Sequence, residues 1–206
     1  MSHSGLGAIL LVGGRSTRLG GGFKPLLEVG GQTLLSRTVR AVADAGCAPI
    51  IAVGPELDPD APVRWVREDP PFSGPAAAIA AGLTALDDEG EDGAPEWMLL
   101  LAGDLPHTGA LASRLAAARA SAMAAGAGQA IVFTADGRPQ WLAGVYRTAA
   151  LRAAVDGLGD AVAGASCRAL LGGLEIAWLA DDDGITADVD TPADLARVRA
   201  AFEEEP

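Results

Sequence analysis

Ala8-Ile9-Leu10-Leu11-Val12-Gly13-Gly14-Arg15-Ser16-Thr17-Arg18-Leu19-Gly20-Gly21-Gly22-Phe23-Lys24 joins five apolar residues in a row to a loop holding five glycines and three cations. An apolar run that stops at a glycine pair reads as a strand buried on both faces, of the kind found in parallel sheets, entering a loop. Glycines let the main chain turn sharply and aim unhindered N–H groups at a ligand, while Arg15, Arg18 and Lys24 add positive charge. A polyphosphate suits such a loop. The stretch lacks the GxxxxGKS/T spacing of a P-loop, because Pro25 follows Lys24, and it lacks the GxGxxG spacing of a dinucleotide-binding turn, which disfavours a nicotinamide oxidoreductase.

Outward from this segment, Gln32 to Ala45 sets Leu34, Leu35, Thr38, Val39 and Val42 at helical spacing, with Gly46 as the stop. Strands are predicted at Pro49 to Val53 and Val63 to Val66, then a helix from Pro75 to Leu86 with proline in its first turn. Asp87 to Pro95 is acidic and reads as a solvated loop rather than a domain boundary. A buried-type strand at Trp97 to Ala102 delivers Gly103-Asp104, and a helix spans about Gly109 to Ala125. Strands at Ala130 to Phe133, Trp141 to Tyr146 and Leu174 to Leu179 follow, with helices around Thr148 to Val155 and Ser166 to Leu171. Thr191-Pro192-Ala193-Asp194 starts the last helix, with threonine at the N-cap, proline at the first position and an acid at the third. Strands alternating with helices predict one three-layer α/β/α domain over residues 1–206 around a mostly parallel sheet, with 1–6 and 203–206 as tails. Ligands of such sheets bind beyond the carboxyl ends of the strands, where the glycine-rich loop and Asp104 both fall.

The chain has 206 residues, half of them apolar, and its longest apolar runs fall far short of the roughly 20 residues of a membrane span. Neither a membrane-spanning segment nor a secretory signal is readable, so a cytoplasmic protein is expected. A formal charge of −12 speaks against nucleic acid and anionic membranes as partners. Fourteen of the 15 basic residues are arginine, and Lys24 is the exception, placed in the glycine-rich loop. Cys47 and Cys167 have no metal-site spacing and are expected as small buried residues.

The loop resembles the LAGGxSxRMGxxK motif of nucleotidyltransferases with a Rossmann-like, nucleotide-diphospho-sugar transferase fold, and most closely that of the molybdenum cofactor guanylyltransferases. The resemblance continues through Glu68-Asp69-Pro70-Pro71-Phe72-Ser73-Gly74-Pro75, Ala102-Gly103-Asp104-Leu105-Pro106, Pro139 to Arg147, and Asp188-Val189-Asp190-Thr191-Pro192-Ala193-Asp194. It implies that Leu11, Val12, Gly13, Gly14, Arg15, Ser16 and Lys24 hold a nucleoside triphosphate. It also implies that Asp69, Gly74 and Pro75 help enclose the base, and that Asp104 ligates Mg2+. Lys24, Arg18 and Asp104 are then the catalytic candidates, with Lys24 and Arg18 neutralising charge on the transferred and departing oxygens. The implied reaction moves GMP from GTP to molybdopterin and releases pyrophosphate; transient contact with proteins that make or receive the cofactor goes with it. The Gly13-Gly14 pair and the Gly74-Pro75 turn favour the guanylyl branch over its cytidylyl relatives. Val12 stands where alanine is usual and adds bulk near the phosphates, and Phe23 stands where aspartate is usual.

From the residues alone, Asp104 is a lone carboxylate delivered by a strand to a sheet edge, and a turn cap is its structural alternative. Asp188 and Asp190 form a DxD pair before a helix, suited to a hard cation, with Asp190 as the second candidate ligand; Asp190 could equally support the Thr191 cap. His107 has no partner at metal-ligand spacing and is read as structural. No residue is assigned as a general base. A cytidylyltransferase or another nucleotidyltransferase acting on a phosphorylated metabolite is the neighbouring alternative. A noncatalytic nucleotide-binding protein is the alternative from a different class.

Overall fold

A computed structural model of the chain describes residues 5–13, 21–87, 94–125 and 128–203. Strand β1 (Leu6–Leu11) alternates its side chains between two apolar layers: Leu6, Ala8 and Leu10 enter one core, and Ile9 enters the other. Both faces are therefore dry, as the unbroken apolar run requires. β1 pairs in parallel with β4 (Cys47–Val53) and with β6 (Trp97–Ala102), and β4 pairs in parallel with β5 (Arg64–Val66). β8 (Arg138–Arg147) runs against β6 and against β7 (Ala130–Ala135), and β9 (Ile176–Ala180) closes the sheet parallel to β7. The seven strands lie in the order β5-β4-β1-β6-β8-β7-β9, mostly parallel as expected.

Helices α1 (Leu34–Asp44) and α3 (Thr108–Ala125) cover one face through Leu35, Val39, Val42, Leu111 and Leu115. Helices α2 (Pro75–Asp87), α4 (Thr148–Leu158) and α5 (Cys167–Leu171) cover the other through Ile79, Leu83, Leu86, Leu151 and Leu170. Together they form the three expected layers. Cys47 and Cys167 are buried free thiols, and burial pushes them up to about 12 and about 11, so neither is a thiolate at neutral pH.

Several boundaries differ from the sequence expectation for physical reasons. Gln32 and Thr33 do not begin α1; they form β3 (Gln32–Thr33), which pairs with β2 (Glu28–Val29) around Gly30 and Gly31. Both glycines have positive φ, 57° and 74°, as a tight hairpin turn demands. Thr33 then caps α1, its hydroxyl accepting from the Ser36 N–H at 3.1 Å. Leu6 belongs to β1 and Glu203 to the last helix, α6 (Pro192–Glu203), rather than to tails. Of the acidic stretch Asp87 to Pro95, residues 88–93 lie outside the described residues. Among the described residues no helix is long and apolar enough to cross a membrane.

Candidate active site

β1 and β6 end side by side, with Leu11 opposite Ala102, so the segments that follow them emerge together. Gly103 donates its N–H to the Leu11 carbonyl at 2.9 Å, which carries the pairing one step past the strand before Asp104 turns out. On the other flank Gly54 lies against Gly13. A Cβ on Gly54 would come within 2.7 Å of the Gly13 amide nitrogen, and its φ of 147° already favours glycine. Gly13 and Gly54 thus serve close packing of chain against chain where β1 and β4 end.

Past β1, Lys24 opens a 3-10 turn (Lys24–Leu26) whose Pro25 is buried. A Cβ added to Gly103 would stand 3.0 Å from Pro25 Cγ, so the lysine and the aspartate are held together by packing one residue away from each. Lys24 Nζ donates to Asp104 Oδ2 at 2.9 Å and also to Asp190 Oδ1. Burial alone would lower the lysine pKa, but hydrogen bonds and charge attraction from Asp190 and Asp104 outweigh it and hold the pKa above 10.5.

Asp190 arrives on the segment after β9. Asp181 ties that segment into a turn, its Oδ1 accepting from the Ile185 N–H at 3.0 Å and its Oδ2 from the Thr186 N–H at 2.8 Å and hydroxyl at 2.6 Å. Arg114 on α3 holds the same segment by donating to the Ala180 carbonyl at 3.1 Å and to Asp183 at 3.2 Å. Val189 is fully buried among Val29, Leu34 and Val198, and its N–H reaches the Asp104 carbonyl at 3.3 Å. With Val189 turned inward, Asp188 and Asp190 on either side of it turn outward toward Asp104. The carboxylate oxygens of Asp104, Asp188 and Asp190 lie within 4.8 Å of one another. Loss of water and then repulsion from Asp104 and Asp190 raise the Asp188 pKa above its ordinary 3.8. An all-oxygen, carboxylate-rich set suits a hard divalent cation better than a thiophilic one.

Lys24 and Asp104 line a cavity of about 440 Å³, and Asp190 reaches it through its bond to Lys24. Of the candidate residues, Leu11, Gly13, Gly74, Pro75, Lys24 and Asp104 line it, while Gly14, Arg15, Ser16 and Arg18 lie outside the described residues. Two candidates are placed differently. Val12 gives its N–H to the Val53 carbonyl at 3.0 Å and buries its side chain in the core with 1% exposed, so its extra bulk over alanine meets Gly54 and Gly103 rather than the cavity. Asp69 is exposed and off the wall, where its neighbour Glu68 stands instead. Glu68 accepts the Phe72 N–H at 2.9 Å, holding Phe72 at a φ of 67° with its ring 54% exposed at the rim. Glu68, Pro25 and Leu142 are wall residues to which the sequence assigned no role, and Phe72 belongs to the Asp69 to Pro75 segment whose resemblance implies a part in enclosing the base.

The Asp190 side chain goes to Lys24 and not to the Thr191 cap. That cap is made by Asp194, which accepts from the Thr191 N–H at 2.9 Å and hydroxyl at 2.7 Å and returns its own N–H to the hydroxyl at 3.2 Å. His107 stacks on Phe202 of α6 with ring centroids 5.4 Å apart, and Arg37 of α1 sits 4.0 Å from the centroid of the same phenyl ring. The histidine is thus part of the seat of α6, in keeping with its structural reading.

The chain is 38% identical over 107 residues to a probable molybdenum cofactor guanylyltransferase of Synechococcus elongatus, covering 48% of this chain and 50% of that one. A molybdenum cofactor guanylyltransferase of Rhodopseudomonas palustris is 35% identical over 109 residues, or 50% of each chain. A probable molybdenum cofactor guanylyltransferase of Mycobacterium tuberculosis is 33% identical over 147 residues, covering 69% of this chain and 68% of that one. The chain thus spans about half the length of the first two relatives and two thirds of the third. In fold it is similar to a nucleotidyl transferase from Methanothermobacter, with a TM-score of 0.70 at 21% identity over 98% of this chain and 99% of that one. A 2-C-methyl-D-erythritol 4-phosphate cytidylyltransferase from Thermus thermophilus gives 0.63 at 18% identity over 98% and 100%. Residues 8–177, from β1 to the start of β9, match the MobA-like NTP transferase domain, and the chain belongs to that family.

Proposed function

We propose that this protein transfers GMP from GTP to the terminal phosphate of molybdopterin, forming molybdopterin guanine dinucleotide and pyrophosphate. The observation that carries the proposal is the convergence of Asp104, Asp188 and Asp190 around Lys24, with Lys24 and Asp104 lining the cavity that Gly13, Gly74 and Pro75 also line. Naming of relatives as molybdenum cofactor guanylyltransferases supports this choice of nucleotide and acceptor.

In this reading an oxygen of the acceptor phosphate attacks the α-phosphorus in line. The bond between that phosphorus and the α,β-bridging oxygen breaks, and its electron pair leaves with pyrophosphate. The acceptor is already anionic, so it needs positioning rather than a general base, and none is assigned. Asp104 and Asp190, with Asp188 beside them, would hold Mg2+, which supplies positive charge to the phosphate oxygens when bound. Gly13, Gly14, Arg15, Ser16 and Arg18 cradle the phosphates, Lys24 neutralises oxygen charge, and Gly74, Pro75, Glu68 and Phe72 enclose the base. Transient contact with cofactor-making or cofactor-receiving proteins, and a cytoplasmic setting, belong to the same proposal.

The test is pyrophosphate release by purified protein with Mg2+ and freshly liberated molybdopterin, comparing GTP, CTP, ATP and UTP. Release with GTP alone is expected. Preference for CTP would move the protein to cytidylyl transfer, and silence with all four, with GTP still bound, would make it a nucleotide-binding protein.

A further inference from the structure

Lys24 Nζ is shared between Asp104 Oδ2 and Asp190 Oδ1, the same carboxylates that stand ready for a divalent cation. A metal coordinates a carboxylate oxygen at about 2.0–2.1 Å. With Nζ 2.9 Å from that same oxygen, metal and ammonium would stand no more than about 5 Å apart in a partly water-excluded site. The lysine and the metal therefore compete for the same oxygens. The lysine cannot retreat by moving its backbone, because Pro25 is buried against Gly103 and fixes the turn that Lys24 opens. Its flexible stem can swing, however, and it lines the cavity in which the proposed function puts the triphosphate.

Charge counting points the same way. Three carboxylates and one ammonium carry two net formal negative charges, and the described cavity wall adds the Glu68 carboxylate and no other cation. Among the described residues, a triphosphate entering alone finds the lysine already engaged by carboxylates, and a metal entering alone must displace that ammonium from the oxygens it binds. Entering together, the phosphates offer the lysine a new partner and the carboxylates pass to the metal.

We infer that Lys24 is a built-in counter-cation whose transfer from Asp104 and Asp190 to the triphosphate couples metal binding to nucleotide binding. The inference rests on the proposed nucleotide site, and it makes the binary metal complex weak by construction. Coupling of this kind is reciprocal: whatever factor the nucleotide adds to metal affinity, the metal adds to nucleotide affinity.

The test is equilibrium binding of Mn2+ alone to the full chain, read from the electron paramagnetic resonance of the free ion, for wild type, Lys24→Met and Lys24→Arg. Removing the charge should tighten Mn2+ by about tenfold or more, against the ordinary expectation that a site mutation weakens binding. Lys24→Arg, which keeps the charge, should stay near wild type. The gain should vanish in the Lys24→Met, Asp104→Asn double variant. Should Lys24→Met fold poorly, Lys24→Gln reads the same way. Equal or weaker Mn2+ binding in the charge-free variant overturns the inference, and so does a gain that survives loss of Asp104. The measurement uses neither GTP nor molybdopterin. A protein that transfers GMP while Lys24→Met shows no gain therefore loses the coupling and keeps the function, and a gain in a protein using another triphosphate does the reverse.

Discussion

Gly103→Ala probes whether packing behind the site sets the distance between its charges. The new Cβ would stand 3.0 Å from Pro25 Cγ, 3.0 Å from Val12 Cγ1 and 3.2 Å from the Leu11 carbonyl oxygen, where ordinary contact begins at 3.4 Å. Val12 and Pro25 are buried, and the carbonyl oxygen already accepts the Gly103 N–H, so none of the three can yield freely. No positive φ is involved at Gly103, which leaves the clash as the whole effect. Overpacking of this kind costs about 1–3 kcal/mol, or roughly 2–12 °C in Tm for a chain of this length at 2–4 °C per kcal/mol. The cheapest relief moves Pro25 away from Gly103, and Lys24 moves with it relative to Asp104. A shift of about 1 Å in a charged catalytic pair costs on the order of 100-fold in rate, so turnover should fall by more than the loss of stability explains at 25 °C, where the variant is still folded. Scanning calorimetry gives the first quantity and pyrophosphate release the second. Gly109→Ala is the control, since a Cβ there meets nothing within 4 Å, and its Tm should match or slightly exceed wild type. A Gly103→Ala protein that melts and turns over like the control would refute the claim that Pro25 and Gly103 set the spacing of Lys24 and Asp104.

Asp104→Ala should abolish metal-dependent turnover while Tm stays within a few degrees, because Asp104 is only partly buried and its loss leaves Lys24 a second partner in Asp190; turnover within tenfold of wild type would remove it from the mechanism. Asp181→Ala should cost about 1–2 kcal/mol by leaving the Ile185 and Thr186 donors unmatched. Burial raises the Asp181 pKa, but those hydrogen bonds lower it more, to below 3.8; its contribution is therefore present above that value and lost as pH falls through the folded pKa. Chemical denaturation should accordingly show the gap between wild type and variant shrinking steadily as pH falls below 3.8, and a gap that keeps its neutral-pH size down to the acid limit of folding would contradict the assignment. Phe202→Ala should destabilise by about 1–2 kcal/mol through loss of the Arg37 and His107 contacts, with Phe202→Tyr close to wild type; urea melts of the three proteins measure it.

The strands next to the site were legible because they are dry on both faces: an apolar run bounded by glycine has few other readings, and β1 and β6 follow it. The start of α6 was legible because a cap is a local device, written within four residues. The β2–β3 hairpin was not, since two-residue strands leave no period to detect, although Gly30-Gly31 carried the turn signal. The first residues of β8 were missed because Arg138, Pro139 and Gln140 are polar or non-donating, as an outer stretch of strand tolerates. Asp69 and Glu68 could not be told apart by sequence: both are acids in a turn, and which one faces the cavity depends on the path of the loop up to Phe72. Val12 was placed at the phosphates by the resemblance of its motif, whereas the strand alternation buries it in the same core as Leu10.

Asp190 shows how far such a site lies beyond local reading. It meets Lys24 across 166 residues of chain, and Asp104 meets the same lysine across 80. What brings the DxD pair to Asp104 is the apolar residue between the acids: Val189 must be buried beside Val29 and Leu34, and in extended chain its two neighbours must then face the other way. The turn tied by Asp181 and the grip of Arg114 set how many residues lead from β9 to that anchor. Deleting one residue from 182–184 would therefore force a choice between burying an aspartate and unburying Val189, and the carboxylates would be lost from the site with their own sequence unchanged. The length of that segment, as much as the identity of its acids, carries the chemistry.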